Sequence, residues 1–86
     1  MKTNFQMLRE LLAVYKPAQR GLLNQYEYEL IVKTLCIDKM DDLQLRNLRD
    51  FIVSHLGRSE QIEDWDKMSA ITCCIDKQIS MLGGEV

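Results

Sequence analysis

Apolar residues recur along this chain at alternating spacings of three and four, the spacing of one helix face. The pattern is clearest in the stretch from Ser59 to Gly83, where Trp65, Met68, Thr72, Ile75, Ile79 and Leu82 fall in line. A helix over 60–82 is predicted, roughly 34 Å long at about 1.5 Å per residue and able to reach across a small domain. Ser59 is its expected N-cap. Glu60, Glu63, Asp64 and Asp66 put negative charge at the positive end of the helix dipole, and Gly83 with Gly84 supply a left-handed stop. Ile71, Cys74 and Met81 make a second stripe beside the first, so one side of this helix is expected to meet another subunit or a target.

Three shorter helices are predicted before it. The first spans about 4–16: Thr3 and Gln6 have capping-box spacing, Phe5, Leu8, Leu11, Leu12 and Tyr15 form the apolar face, and Pro17 disfavours helix at the residue before it. Met7 and Val14 lie to one side and widen the stripe. Pro17 to Gly21 reads as a short connector, which makes the first two helices neighbours. The second helix, about 23–36, starts at Leu22 or, with Asn24 as cap and Glu27 three residues on, at Gln25. Leu23, Tyr26, Leu30 and Thr34 lie near one line, with Ile31, Val32 and Leu35 filling out a broad apolar side. Its run LIVKTLCI is rich in β-branched residues, but it is long for a strand and has no visible partner strand, so helix is preferred.

After a polar break from Asp38 to Asp42, the third helix is predicted at 42–56. Asp41 is its N-cap, Gln44 completes the box, Met40 staples onto Leu45, Leu45, Leu48, Ile52 and Leu56 face the core with Phe51 on the flank, and Gly57 closes it. A tight corner at Arg58 makes the third and fourth helices neighbours. Thr34, Cys36, Ile37, Asp38 and Lys39 echo Thr72, Cys74, Ile75, Asp76 and Lys77, but the flanking residues do not align and the echo is read as chance. The expected fold is therefore all-α, a small four-helix bundle-like domain with a long C-terminal helix.

Composition narrows the function classes. With 86 residues, 47% of them hydrophobic and 28% charged, the chain is a single folded domain with a solvated surface. The net charge of −2 is uneven: residues 1–37 carry five Lys or Arg against three Glu, and residues 38–86 carry six against ten acidic residues. Neither half is a polycation, which argues against a broad surface for nucleic-acid backbones. The three cysteines, Cys36, Cys73 and Cys74, form no disulfide framework and suit a reducing cytosol. The opening MKTNFQMLRELLAV lacks a long apolar core and no run is long enough for a membrane span, so the chain is expected to be cytoplasmic, neither exported nor inserted.

Candidate chemistry is sparse. His55, the one histidine, falls near the end of the third helix, where a cation meets the negative end of the dipole. One His and three Cys lack a chelating pair, and the adjacent Cys73 and Cys74 diverge by about 100° on a helix, so no metal and no cofactor are expected. Tyr26 and Tyr28 lie on different faces, so one of them is expected to be exposed. The most suggestive feature is Trp65 among Glu60, Glu63, Asp64 and Asp66: either a core tryptophan in a well-charged helix start, or an aromatic anchor rimmed by carboxylates. The preferred reading is a small non-enzymatic interaction module, a regulator or inhibitor that binds a larger protein assembly through Trp65, Glu60, Glu63, Asp64, Asp66, Ile71 and Met81. It is expected to form a homodimer and not to bind nucleic acid. The alternative is a helical DNA-binding regulator using Arg46 and Arg49, which are expected to face out of the third helix; the acidic residues around them and the missing turn glycine weigh against it. In size and compactness the chain resembles accessory proteins of phages and mobile elements, a likeness that rests on no motif.

Overall fold

Helix starts in this chain are written locally, by side chains that return to their own backbone. In the computed structural model, which describes residues 2–16 and 23–83, α1 (Asn4–Val14), α2 (Gln25–Leu35) and α3 (Asp42–Leu56) each begin with a reciprocal capping box. The Gln6 amide donates to Thr3 Oγ1 at 3.1 Å, that of Glu27 to Asn24 Oδ1 at 2.8 Å, and that of Gln44 to Asp41 Oδ1 at 2.8 Å. Each box satisfies two backbone donors that the helix cannot reach. Asn24 thus settles the start of α2 at Gln25. The LIVKTLCI run is helical up to Leu35. Cys36 then takes a left-handed conformation (φ 55°), and a single 3-10 turn, Ile37–Lys39, buries Ile37 before α3 begins.

α4 (Ile62–Met81) starts two residues later than predicted and without a side-chain cap. At about 1.5 Å per residue it is about 30 Å long, and the molecule is 31 Å in its longest dimension. The helix therefore runs the length of the domain. Gly83 stops it in the left-handed region (φ 85°), as expected, with its N–H donating to the Ser80 carbonyl at 3.0 Å. Gly84 and the connector from Pro17 to Gly21 lie outside the described residues.

The fold is all-α. The most extensive packing is α3 against α4, followed by α1 against α2, so both expected neighbour pairs are present. The core holds Leu45, Leu48, Ile52 and Leu56 of α3, as the spacing predicted, with Ile71, Cys74, Ile75 and Ile79 of α4, Ile31 and Leu35 of α2, and Met7, Leu8, Leu11 and Tyr15 from α1 and its end. The radius of gyration is 12.0 Å, matching the roughly 12 Å of a compact chain of this length.

Two faces differ from the expectation. In α1, Met7 is buried while Phe5 is half exposed and edges onto His55, which stacks on Phe51 at 5.7 Å. In α4 the core draws on both stripes: Ile75 and Ile79 of the first are buried with Ile71 and Cys74 of the second, whereas Trp65 and Leu82 of the first and Met81 of the second are exposed and Thr72 lies at the edge. Both orientations satisfy the helical period, and the one that hides Ile71 in place of the Thr72 hydroxyl removes more apolar surface from water. The Thr72 hydroxyl instead donates to the Met68 carbonyl at 2.8 Å. Of the two tyrosines, Tyr26 is the exposed one, and Tyr28 lies half-buried beneath Lys77 Nζ at 4.7 Å.

Gly57 closes α3, but in the right-handed region (φ −69°, ψ −14°), so it is not chosen for left-handed freedom. It is chosen for space. A Cβ there would stand 2.4 Å from the Val53 carbonyl oxygen, and the Met68 sulfur lies 3.6 Å away on its other side. Helix propensity alone would favour Gly57→Ala by about 1 kcal/mol; the overlap reverses the sign. The expected outcome is a loss of about 1–3 kcal/mol, read as a lower denaturation midpoint at unchanged m-value.

The Tyr15 hydroxyl is fully buried beside the buried carboxylate of Glu27. Burial, and after it the charge of Glu27 and a hydrogen bond to its carboxylate, push its pKa well above 10. Burial likewise pushes the Cys74 thiol from 9 up to about 12, with the neighbouring Cys73 adding to the shift. Both groups hold their protons more tightly folded than unfolded. Their contribution is therefore complete below their unfolded values and is lost as pH rises through the folded ones. Tyr15→Phe should make the alkaline loss of stability shallower in melts from about pH 8 to about pH 12.

Candidate functional site

The corner between α3 and α4 is built from a serine that serves three neighbours. Ser59 Oγ accepts from the Gln61 N–H at 3.1 Å and donates to Asp64 Oδ2 at 2.5 Å, while the Ser59 carbonyl accepts from Trp65 Nε1 at 2.9 Å. Ser59 is thus a brace across the corner and not the predicted N-cap, a position taken by Gln61. The indole hydrogen bond fixes the ring against the corner while leaving 48% of the residue exposed. Ile62, one turn earlier on the same face, is 59% exposed.

The exposure follows from the register of the two helices. Met68 lies against Gly57, and Arg49 Nε donates to Asp76 Oδ1 at 2.7 Å. These two tie points are eight residues apart on each helix, about 12 Å, so α3 and α4 advance in step between them. On this register Ile62 to Lys67, about 9 Å of helix, lie past the contact of Met68 with the end of α3 at Gly57. Ile62 and Trp65 are exposed because the neighbour that would cover them has ended.

The predicted site residues separate into three groups. Glu60 and Glu63 are exposed beside Trp65, and Asp64 is half-buried and held by Ser59. Asp66 is half-buried, and its negative charge adds the last contribution to holding the Tyr15 proton. Ile71 is fully buried and offers no surface to a partner, a consequence of the rotated face of α4. Met81 is 67% exposed but sits sixteen residues beyond Trp65, about 24 Å along the helix. Ile62 was not singled out from sequence; its apolar character three residues before Trp65 is the signal that marks it.

The remaining candidates fall elsewhere. Arg46 Nε donates to Asp42 Oδ2 at 2.9 Å on its own helix, and Arg49 is half-buried in its bridge to Asp76. Arg49 thus ties α3 to α4 and does not face outward as expected. His55 is engaged by two phenylalanine rings. Among the described residues no three His, Cys, Asp or Glu side chains converge on a possible metal position, and no helix is long and apolar enough to cross a membrane.

Comparison with protein-family models, curated proteins and solved structures finds no match to this chain.

Trp65 is intermediate between core and free anchor. Trp65→Ala is therefore expected to cost about 1–2 kcal/mol, short of the roughly 3–5 kcal/mol of a fully buried aromatic. Chemical denaturation measures it, and a loss at the upper figure would make Trp65 a core residue.

Proposed function

We propose that this chain is a small non-enzymatic interaction module of the cytosol, a regulator or inhibitor that docks onto a larger protein through the projecting start of α4. The observation that carries this reading is the exposed pair Ile62 and Trp65, one helical turn apart and flanked by Glu60, Glu63 and Asp64. A partly exposed tryptophan already held in one orientation loses little conformational freedom on binding, and tryptophan is enriched among the residues that dominate interface energies. The carboxylates beside it favour a partner surface that is apolar at its centre and basic at its edge, and they speed encounter with it. Self-association belongs to the same reading, with Met81 and Leu82 at the opposite, exposed end of α4 as the contact between copies.

The experiment is capture from source-cell extract at physiological salt, after nuclease treatment, with the parent chain and with folded Trp65→Ala and Ile62→Ser variants. A stoichiometric partner retained by the parent and lost from both variants is the expected result. Undiminished partner yield from folded Trp65→Ala would refute the docking role. Recovery of nucleic acid in place of protein would turn attention to Arg46.

A further inference from the structure

A groove of about 610 Å³ opens between the start of α1, the end of α2 with its 3-10 turn, and the first turns of α3. Its volume is in the range of small-molecule sites, about 300–1,000 Å³. Met7, buried, and Met40, half-buried, contribute apolar and adaptable surface. Lys33 and Lys39 stand exposed in the lining, and neither is in an ion pair among the described residues. A third lysine, Lys2, is already neutralised by Glu10 at 2.7 Å.

The uncharged lining is rich in donors. The Gln44 side-chain oxygen is occupied by the Asp41 N–H at 3.0 Å, which leaves its NH₂ to donate, and Asn47 follows one turn later on the same face of α3. The groove also borders the first turns of α1 and α3, the positive ends of two helix dipoles. In a chain whose net charge is −2, positive charge and donors have gathered around a half-apolar hollow. Among the described residues the lining contains no arginine and no glycine, the residues that cradle phosphates with bidentate forks or backbone nests.

We propose that this groove binds a small amphipathic carboxylate, with its apolar body on Met7 and Met40 and its head between Lys33 and Lys39. The groove is separate from the Trp65 corner, and the inference does not depend on the docking role.

An NMR-detected titration of the intact chain with octanoate, acetate and octanol tests it. Octanoate should give saturable shifts at Cys36, Gln44 and Asn47, with affinity at least about tenfold above that for acetate or octanol. Lys33→Gln with Lys39→Gln, both at exposed positions, should weaken octanoate at least about tenfold, while Arg58→Gln, outside the groove, leaves it unchanged. Absence of saturation, equal affinity for acetate, or binding that persists in the folded double variant overturns the proposal. So does light scattering that shows self-association abolished by the double variant, because a second copy would then fill the groove.

Discussion

The seam in which Leu45, Leu48, Ile52 and Leu56 of α3 share a core with Ile71, Cys74, Ile75 and Ile79 of α4 sets the position of everything else in the domain. Large side chains from two helices can interdigitate in only a few registers without leaving voids. Here the register is marked at one end by Met68 lying beside Gly57 and further along by the Arg49–Asp76 bridge. Ile31 and Leu35 of α2 and Met7, Leu8 and Leu11 of α1 complete the core that this seam begins. The projection of Ile62 and Trp65 is then a consequence of where the seam stops.

What was legible in the sequence was local. Thr3 with Gln6, Asn24 with Glu27 and Asp41 with Gln44 state their helix starts within four residues, and all three boxes form. The core face of α3 was equally plain because Leu45, Leu48, Ile52 and Leu56 keep one stripe, although Leu43 and Val53 lie off it and are exposed. The face of α4 was not, since Trp65 with Met68 and Thr72 keeps the same period as Ile71 with Cys74, and only the helices packed against α4 decide between the stripes. Arg49 shows the same limit. Its charge suggested solvent, yet it faces a neighbour that is remote in the chain, Asp76.

The two surfaces that remain differ in kind. The corner is convex, aromatic and acidic, and it stands on a helix end held by three hydrogen bonds through Ser59. The groove is concave and basic, and it is framed by the ends of three helices. Protein recognition suits the first shape and small-molecule recognition the second.

The overhang of α4 also bears on how such a chain can change over generations. Side chains between Ile62 and Lys67 lie past the contact of Met68 with Gly57, so most replacements there leave the seam as it was. The inner turns are held to a narrow choice of residues by packing, while in the outer turn and a half Asp64 and Trp65 are tied to Ser59 and only the exposed Ile62 and Glu63 can be exchanged with the corner's hydrogen bonds intact.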